Sequence, residues 1–322
     1  MGCLCGNALV EMAEEATAIY LRNRDLDGYQ SYSFEAMATI FRFHLASSSN
    51  ALLDSAVMEA EELLTKLESQ LSLYIEHSDT TRINRAAEGE EIAVSQTMVD
   101  CLLAAFDASS LLGGAFDPFL GQLSIDAKGQ RPILPHLQGI ETEDSPSEGP
   151  VISLDPDMNR VRKIRAGPLL DLGGIGKGFA LDQLKTLFHS WDIESGLLDS
   201  GGSTFLALNR NGKGPNWSLN IGYGSKIRPV DLPPGSAIAS SGELYQESHI
   251  IDPIKGNPSA WKRSYALASS AALADAASTA GLVLESKDID AICLNECDLS
   301  FALFSEESGH FFGSYFEKWM DS

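Results

Sequence analysis

The stretch DLGGIGKGFALD, residues 171–182, sets four glycines and a lysine between two carboxylates. Glycine has no Cβ, so its backbone can approach a ligand closely or adopt positive φ. The apolar residues ahead of it, Leu169 and Leu170, read as a strand end, and the residues after it as the start of an amphipathic helix. A helix start offers unpaired N–H groups and the positive end of the helix dipole, which suits a phosphate or pyrophosphate. Lys177 adds a movable cation. The alternative is a tight strand-to-helix turn that needs glycine only for packing. Neither common phosphate motif is present. Asp171 stands where a Walker A loop requires glycine, Gly178 stands where it requires Ser or Thr, and glycines at 174, 176 and 178 break the G-x-G-x-x-G spacing.

A second pair is Asp275 and Thr279, four residues apart in a small-residue segment, 269–285, that reads as helix. That spacing puts both side chains on one face. A carboxylate and a hydroxyl there can give two oxygens to a hard cation. Magnesium takes few protein oxygens, keeps waters and shares phosphate oxygens with a substrate. The competing reading is a buried hydrogen bond for Asp275 and a backbone bond for Thr279. His249, just before Asp252 and Pro253, has the titration range of a proton carrier near neutral pH. It could equally be a histidine held by Asp252.

These residues need elements to position them. Residues 1–32 are polar and acidic and read as an N-terminal arm; 33–322 read as one large domain. Residues 33–46 alternate, with Phe34, Ile40, Phe41 and Phe43, and predict a strand. Over 50–71, Leu53, Val57, Ala60, Leu64, Leu67 and Leu71 recur every three or four residues, which predicts an amphipathic helix. Residues 74–85 read as a polar loop. Ser95 is an N-cap candidate for a helix over 95–112 that stops at Gly113 and Gly114. Residues 126–150, rich in Pro, Gly, Glu and Ser, read as a surface excursion. A hairpin is expected over 151–164, a helix from the glycine-rich turn to Ser190, and strands at 195–199, 203–208, 217–222, 236–240, 290–295 and 300–305. Strands mixed irregularly with helices predict an α+β fold, not a doubly wound sheet.

Composition bounds the function. The 322 residues are 44% apolar and 21% charged, as in globular proteins. A formal charge of −22 argues against nucleic acid or an anionic membrane surface as a partner. Cys3, Cys5, Cys101, Cys293 and Cys297 form neither a C-x-x-C pair nor a zinc-like set with histidine, which predicts free thiols in a reducing compartment. No basic stretch followed by an apolar one marks a signal peptide, so a cytoplasmic location is expected. Residues 265–284 are apolar enough to resemble a membrane span, but Asp275 at mid-segment favours a buried helix and no span.

Several segments fall in a telling order. They are Phe34-Glu35-Ala36-Met37-Ala38-Thr39; Leu73-Tyr74 with Ser78, Arg82 and Asn84; Gly113-Gly114-Ala115-Phe116-Asp117-Pro118; the 171–182 stretch; Ser200-Gly201-Gly202; Ser240-Ser241-Gly242; His249-Ile250-Ile251-Asp252-Pro253; and Ala274-Asp275 with Thr279. By their joint order and spacing, residues 34–285 resemble the ApbE-type flavin transferases, the FAD:protein FMN transferases. The resemblance implies an α+β, ApbE-like single large domain of mixed, mainly antiparallel sheet with flanking helices. It implies cleavage of FAD and attachment of FMN through a phosphoester to a Ser or Thr of a target flavoprotein, with release of AMP and with Mg²⁺ as cofactor. By match, FAD would be held near Met37, Tyr74, Ala115, Phe116, Asp117, Asp171, Lys177 and Ile251. The metal would lie between Asp275, Thr279 and the Gly174 carbonyl, and His249, Lys177 and Asp275 would be catalytic. The chain departs from the family pattern at Ser203, where an acidic residue is usual, and in the short stretch between Gly242 and His249. Two alternatives accompany this reading: an FAD pyrophosphatase that yields FMN and AMP, and a non-catalytic FAD-binding protein. If His249 is the general base, the rate falls as pH drops through the histidine pKa, and His249→Gln abolishes that limb. A variant that keeps both rate and limb would make His249 structural.

Overall fold

The computed structural model describes residues 19–21, 26, 28–119, 134–137, 140, 149–210, 216–242, 261–296 and 298–319. In chain order the first strands are β1 (Tyr20–Leu21), β2 (Gln30–Ala36) and β3 (Thr39–Ala46). Then come α1 (Asn50–Leu71), α2 (Asp79–Arg85), β4 (Glu91–Ala93), α3 (Gln96–Leu111), β5 (Ile152–Asp155), β6 (Arg160–Lys163) and α4 (Gly176–Ser190). The second half holds β7 (Ser195–Ser200), β8 (Thr204–Ala207), β9 (Trp217–Tyr223), β10 (Lys226–Leu232), β11 (Ala237–Gly242) and β12 (Arg263–Ala268). It closes with α5 (Ala271–Ala280), α6 (Ser286–Asn295), β13 (Ser300–Phe304) and β14 (Gly309–Phe312).

Eight strands form one antiparallel sheet in the order β14-β13-β12-β11-β8-β7-β3-β2. Strand side chains alternate between faces. Leu198, Leu206, Ala239, Ala266 and Leu303 turn to one side and pack with α1, α3, α4 and α5. Leu197, Phe205, Ile238, Tyr265 and Ala302 turn to the other and pack on the small antiparallel sheet β1-β9-β10. With both faces covered, β7, β8, β12 and β13 are buried along their whole length. Their apolar residues do not alternate with exposed polar ones, as in Phe205-Leu206-Ala207 and Phe301-Ala302-Leu303-Phe304, and the polar residues among them, Asp199 and Arg263 included, are buried too. The fold is α+β with a mainly antiparallel sheet and flanking helices, as the sequence predicts.

Helices α1 and α3 match their periodicity, and each is capped by serine: Ser49 accepts the Leu52 N–H and Ser95 the Met98 N–H. The hairpin β5–β6 and the strands at 195–199, 203–208, 217–222, 236–240 and 300–305 also match. Most of 126–150 lies outside the described residues.

Four expectations are corrected. Residues 33–46 form not one strand but the β2–β3 hairpin, whose turn residues Met37 and Ala38 both have positive φ, 52° and 57°. Such a turn usually carries Asn-Gly, so Met-Ala gives no sequence signal. Residues 79–85 are helix, not loop. Ser78 caps it, and the buried Thr80 and Thr81 hydroxyls donate back to the Leu71 and Ile75 carbonyls. Residues 290–295 belong to α6, because Ile289 and Cys293, one turn apart, are its buried pair. The expected strand ending at Leu170 does not form. Its ladder partner is replaced by one side chain: Asn84 donates to the Leu170 carbonyl at 2.9 Å and accepts the Leu170 N–H at 2.8 Å.

That clamp fixes the chain entering the glycine-rich turn. Both partners are buried, so Asn84→Ala strands a backbone donor and acceptor away from water. A loss of about 2–4 kcal/mol is expected in equilibrium urea unfolding. A loss below about 1 kcal/mol would mean the clamp is dispensable.

Candidate functional site

The glycine-rich turn owes its glycines to close approach, and not to left-handed backbone: none of Gly173, Gly174, Gly176 and Gly178 has positive φ. A Cβ on Gly178 would overlap the carbonyl of Ala271, so this glycine lets α4 touch the start of α5. A Cβ on Gly176 would lie 3.2 Å from Met37 Cε, and one on Gly174 3.2 Å from Phe116 Cε2 and 3.7 Å from Thr279 Oγ1. The first-turn donors are also partly committed. The Gly176 N–H donates to Leu172 O at 2.7 Å and the Gly178 N–H to Asp275 Oδ2 at 3.1 Å. The expectation of a row of free amides for phosphate is corrected accordingly.

The two carboxylates that bracket the turn have different work. Asp182 accepts the N–H groups of Ala271 and Ala272, both at 2.9 Å, and the Ser270 hydroxyl at 2.8 Å, so α4 caps α5. Asp171 accepts the Gly173 N–H at 2.8 Å, which closes the turn.

Asp275 and Thr279 share a face of α5, as their spacing predicts. Asp275 is 3% exposed. Burial pushes its carboxyl above the usual range, against the pull of Lys177, whose Nζ lies 3.8 Å from Oδ2, and of the Gly178 N–H. The Thr279 hydroxyl lies 3.4 Å from the Asp275 carbonyl and 3.0 Å from Ser241 Oγ, which also meets Ser278 Oγ at 2.8 Å. The structure thus bears out the competing reading: Asp275 is hydrogen-bonded and Thr279 touches a backbone carbonyl.

Beside this pair opens a cavity of about 610 Å³, within the range of small-molecule sites. Met37, Tyr74, Asp171 and Lys177, drawn from three separate segments, all line it. Tyr74 is 43% exposed. Lys177 faces the cavity and also reaches Asp275, so it joins the two halves of the site. Ala115 and Phe116 are buried and do not line the cavity; Phe116 packs against Gly174. Asp117 accepts the Phe119 N–H at 2.8 Å, and burial pushes its carboxyl up. His249 and Ile251 lie outside the described residues. Thr39, Glu68 and Ser203 also line the cavity. Of these, only Ser203 stands out in the sequence, as a serine where an acidic residue is usual.

A sequence description of the ApbE family matches residues 37–302, from the hairpin tip to β13. The chain belongs to the ApbE family. An FAD:protein FMN transferase of Chlamydia muridarum is 27% identical over 215 residues, which cover 63% of this chain and 66% of that protein. One from Vibrio cholerae is 29% identical over 229 residues, covering 62% and 64%. The chain thus spans just under two thirds of the length of these relatives. The fold matches the flavin transferase ApbE from Vibrio cholerae at a TM-score of 0.70, with 23% identity over 90% of this chain and 98% of that one. It matches the ApbE protein of Thermotoga maritima at 0.71, with 22% identity over 91% and 99%.

In this ApbE chain the glycines separate by what each touches. Gly178→Ala would drive a methyl into backbone, which cannot yield without parting α4 from α5. A destabilisation of at least about 2 kcal/mol is expected. Gly174→Ala meets side chains and no backbone, the Phe116 ring edge at 3.2 Å and Thr279 Oγ1 at 3.7 Å, so a smaller change, about 1 kcal/mol, is expected. Denaturant melts of the two variants check the ranking, and equal stability would refute it.

Proposed function

We propose that the chain is an FAD:protein FMN transferase: it cleaves the FAD pyrophosphate, joins FMN through a phosphoester to a Ser or Thr of a target flavoprotein, and releases AMP. The observation that carries this reading is the cavity lined by Met37, Tyr74, Asp171 and Lys177 and joined through Lys177 to Asp275. A half-exposed phenol on its wall suits an aromatic ring. The Lys177 ammonium, between the cavity and Asp275, suits the pyrophosphate.

The donor set also fits magnesium. Magnesium is a hard cation that takes few protein oxygens and shares others with phosphate. Asp275 would contribute its carboxylate, Thr279 its hydroxyl and Gly174 its carbonyl. Magnesium held there would neutralise charge on the transferred phosphoryl group and the leaving AMP. Since burial raises the Asp275 pKa, magnesium affinity weakens as pH falls and the carboxylate is protonated. The hydroxyl of the target attacks phosphorus, and His249 is the residue we assign to take its proton.

We also assign the chain to the cytoplasm. Cys101 and Cys293 are unpaired, and burial pushes both thiols up to about 12. Among the described residues no helix is long and apolar enough to cross a membrane.

Incubation with FAD, Mg²⁺ and a candidate target tests the activity. Covalent flavin on the target supports transfer, free FMN with AMP points to a pyrophosphatase, and unchanged FAD refutes both. In Asp275→Ala the rate should fall at least about 100-fold, as when other preorganised electrostatic groups are removed. FAD affinity, set mainly by the cavity, should change far less. A wild-type rate in that variant at saturating Mg²⁺ would remove the metal role.

A further inference from the structure

We propose that Asp199 is a positioning residue of the flavin cavity: it ties the 201–203 turn to β3, fixes the wall made by Thr39 and Ser203, and thereby sets the affinity for FAD. The inference rests on the FAD reading given above and adds a residue to which that reading assigns no role.

Asp199 lies on β7 directly across from Arg42 on β3. Its carboxylate is buried and reaches two ways. Oδ1 accepts the Gly202 N–H at 2.6 Å, and Oδ2 meets Arg42 Nη1 at 3.1 Å. The first contact holds a turn in which Gly201 and Gly202 both have φ +69°. A Cβ on Gly201 would overlap the Thr39 hydroxyl, so the turn is seated against Thr39. Ser203, next in the chain, is pinned on its other side, where its carbonyl accepts the Ser240 N–H at 2.7 Å. Thr39 and Ser203 both line the cavity. The second contact anchors the carboxylate to Arg42, on the same strand as Thr39. One buried group therefore sets the spacing between two cavity-lining residues that come from distant parts of the chain.

The tether is also sensitive to pH. Burial pushes the Asp199 carboxyl up to about 6, against the Gly202 N–H and Arg42. Arg42 is the charged group that acts on it. From β8 the opposite residue is Phe205, and from the β1 side Ile19, whose N–H donates to Gly202 O, is apolar. The carboxylate and its ion pair persist above that pH and are lost as pH falls through it.

The test measures FAD binding by flavin fluorescence between pH 5 and 7.5, with thermal unfolding in parallel. Wild-type affinity should fall several-fold as pH drops through about 6. Asp199→Asn keeps an acceptor for Gly202 but no charge, so its affinity should match that of the acidified wild type and lose the pH step. Asp199→Ala should bind FAD about tenfold more weakly, equivalent to one lost charged hydrogen bond. In turnover, KM for FAD should rise while kcat at saturating FAD holds. Should Asp199→Ala fail to fold, Asp199→Asn and Arg42→Met carry the test. Wild-type FAD affinity and pH dependence in the folded variants, with only the melting temperature lowered, would overturn the inference and leave the FAD reading standing. Absence of FAD binding by the wild-type protein would overturn both.

Discussion

The site depends on one close approach between helices. Gly178 lets α4 meet the first turn of α5 at the Ala271 carbonyl. Only at that separation can the Gly178 N–H reach Asp275 and the Asp182 carboxylate reach the amides of Ala271 and Ala272. The contact has two polar ends: α4 caps α5, and α5 in turn supplies a carboxylate to the first turn of α4. Each arrangement places a negative group where helix amides and the dipole favour it. Lys177, between the two ends, is left facing both the cavity and Asp275. The glycine-rich stretch is thus a packing device that also sets Lys177 against the cavity, and the packing reading of its sequence does not exclude the proposed binding role.

A second constraint acts from the sheet side. The hairpin tip at Met37 and Ala38 holds two residues with side chains in left-handed backbone, a conformation that costs energy without glycine. Both residues line the cavity, and Met37 packs over Gly176. Two elements far apart in sequence, a strained hairpin and a glycine turn, thereby meet at one wall. Neither could move toward the other with larger residues at the contact.

The parts legible in the sequence were those in which a local signal and the tertiary role agree. Helices α1 and α3 carry an apolar stripe and a serine cap, and the central strands β8 and β13 carry short apolar runs, Phe205-Leu206-Ala207 and Phe301-Ala302-Leu303-Phe304, because both faces are buried. The Asp275–Thr279 spacing and the glycine stretch were legible for the same reason: the chemistry is local. What was missed is what only the fold brings together. The hairpin tip lacks turn residues. Helix α2 hides because buried threonines satisfy their hydroxyls on backbone carbonyls, so a polar segment is core. Asn84 stands in for a strand 86 residues away. Ser203 and Thr39 became cavity wall through sheet pairing, which no single segment encodes. Asp182, the second carboxylate bracketing the glycine-rich stretch, carries no local sign of its role as a helix cap.

The mutual capping of α4 and α5 also bears on how this region breathes. Proteins open in cooperative units whose boundaries follow shared contacts. Because the Gly178 amide is held by Asp275 and the first amides of α5 by Asp182, neither helix start can fray without releasing the other. The two behave as one opening unit, and its hinge is the carboxylate proposed to receive the cation. A cation held by Asp275 would therefore act on a group that both helix starts share, and its binding would change how readily the pair opens.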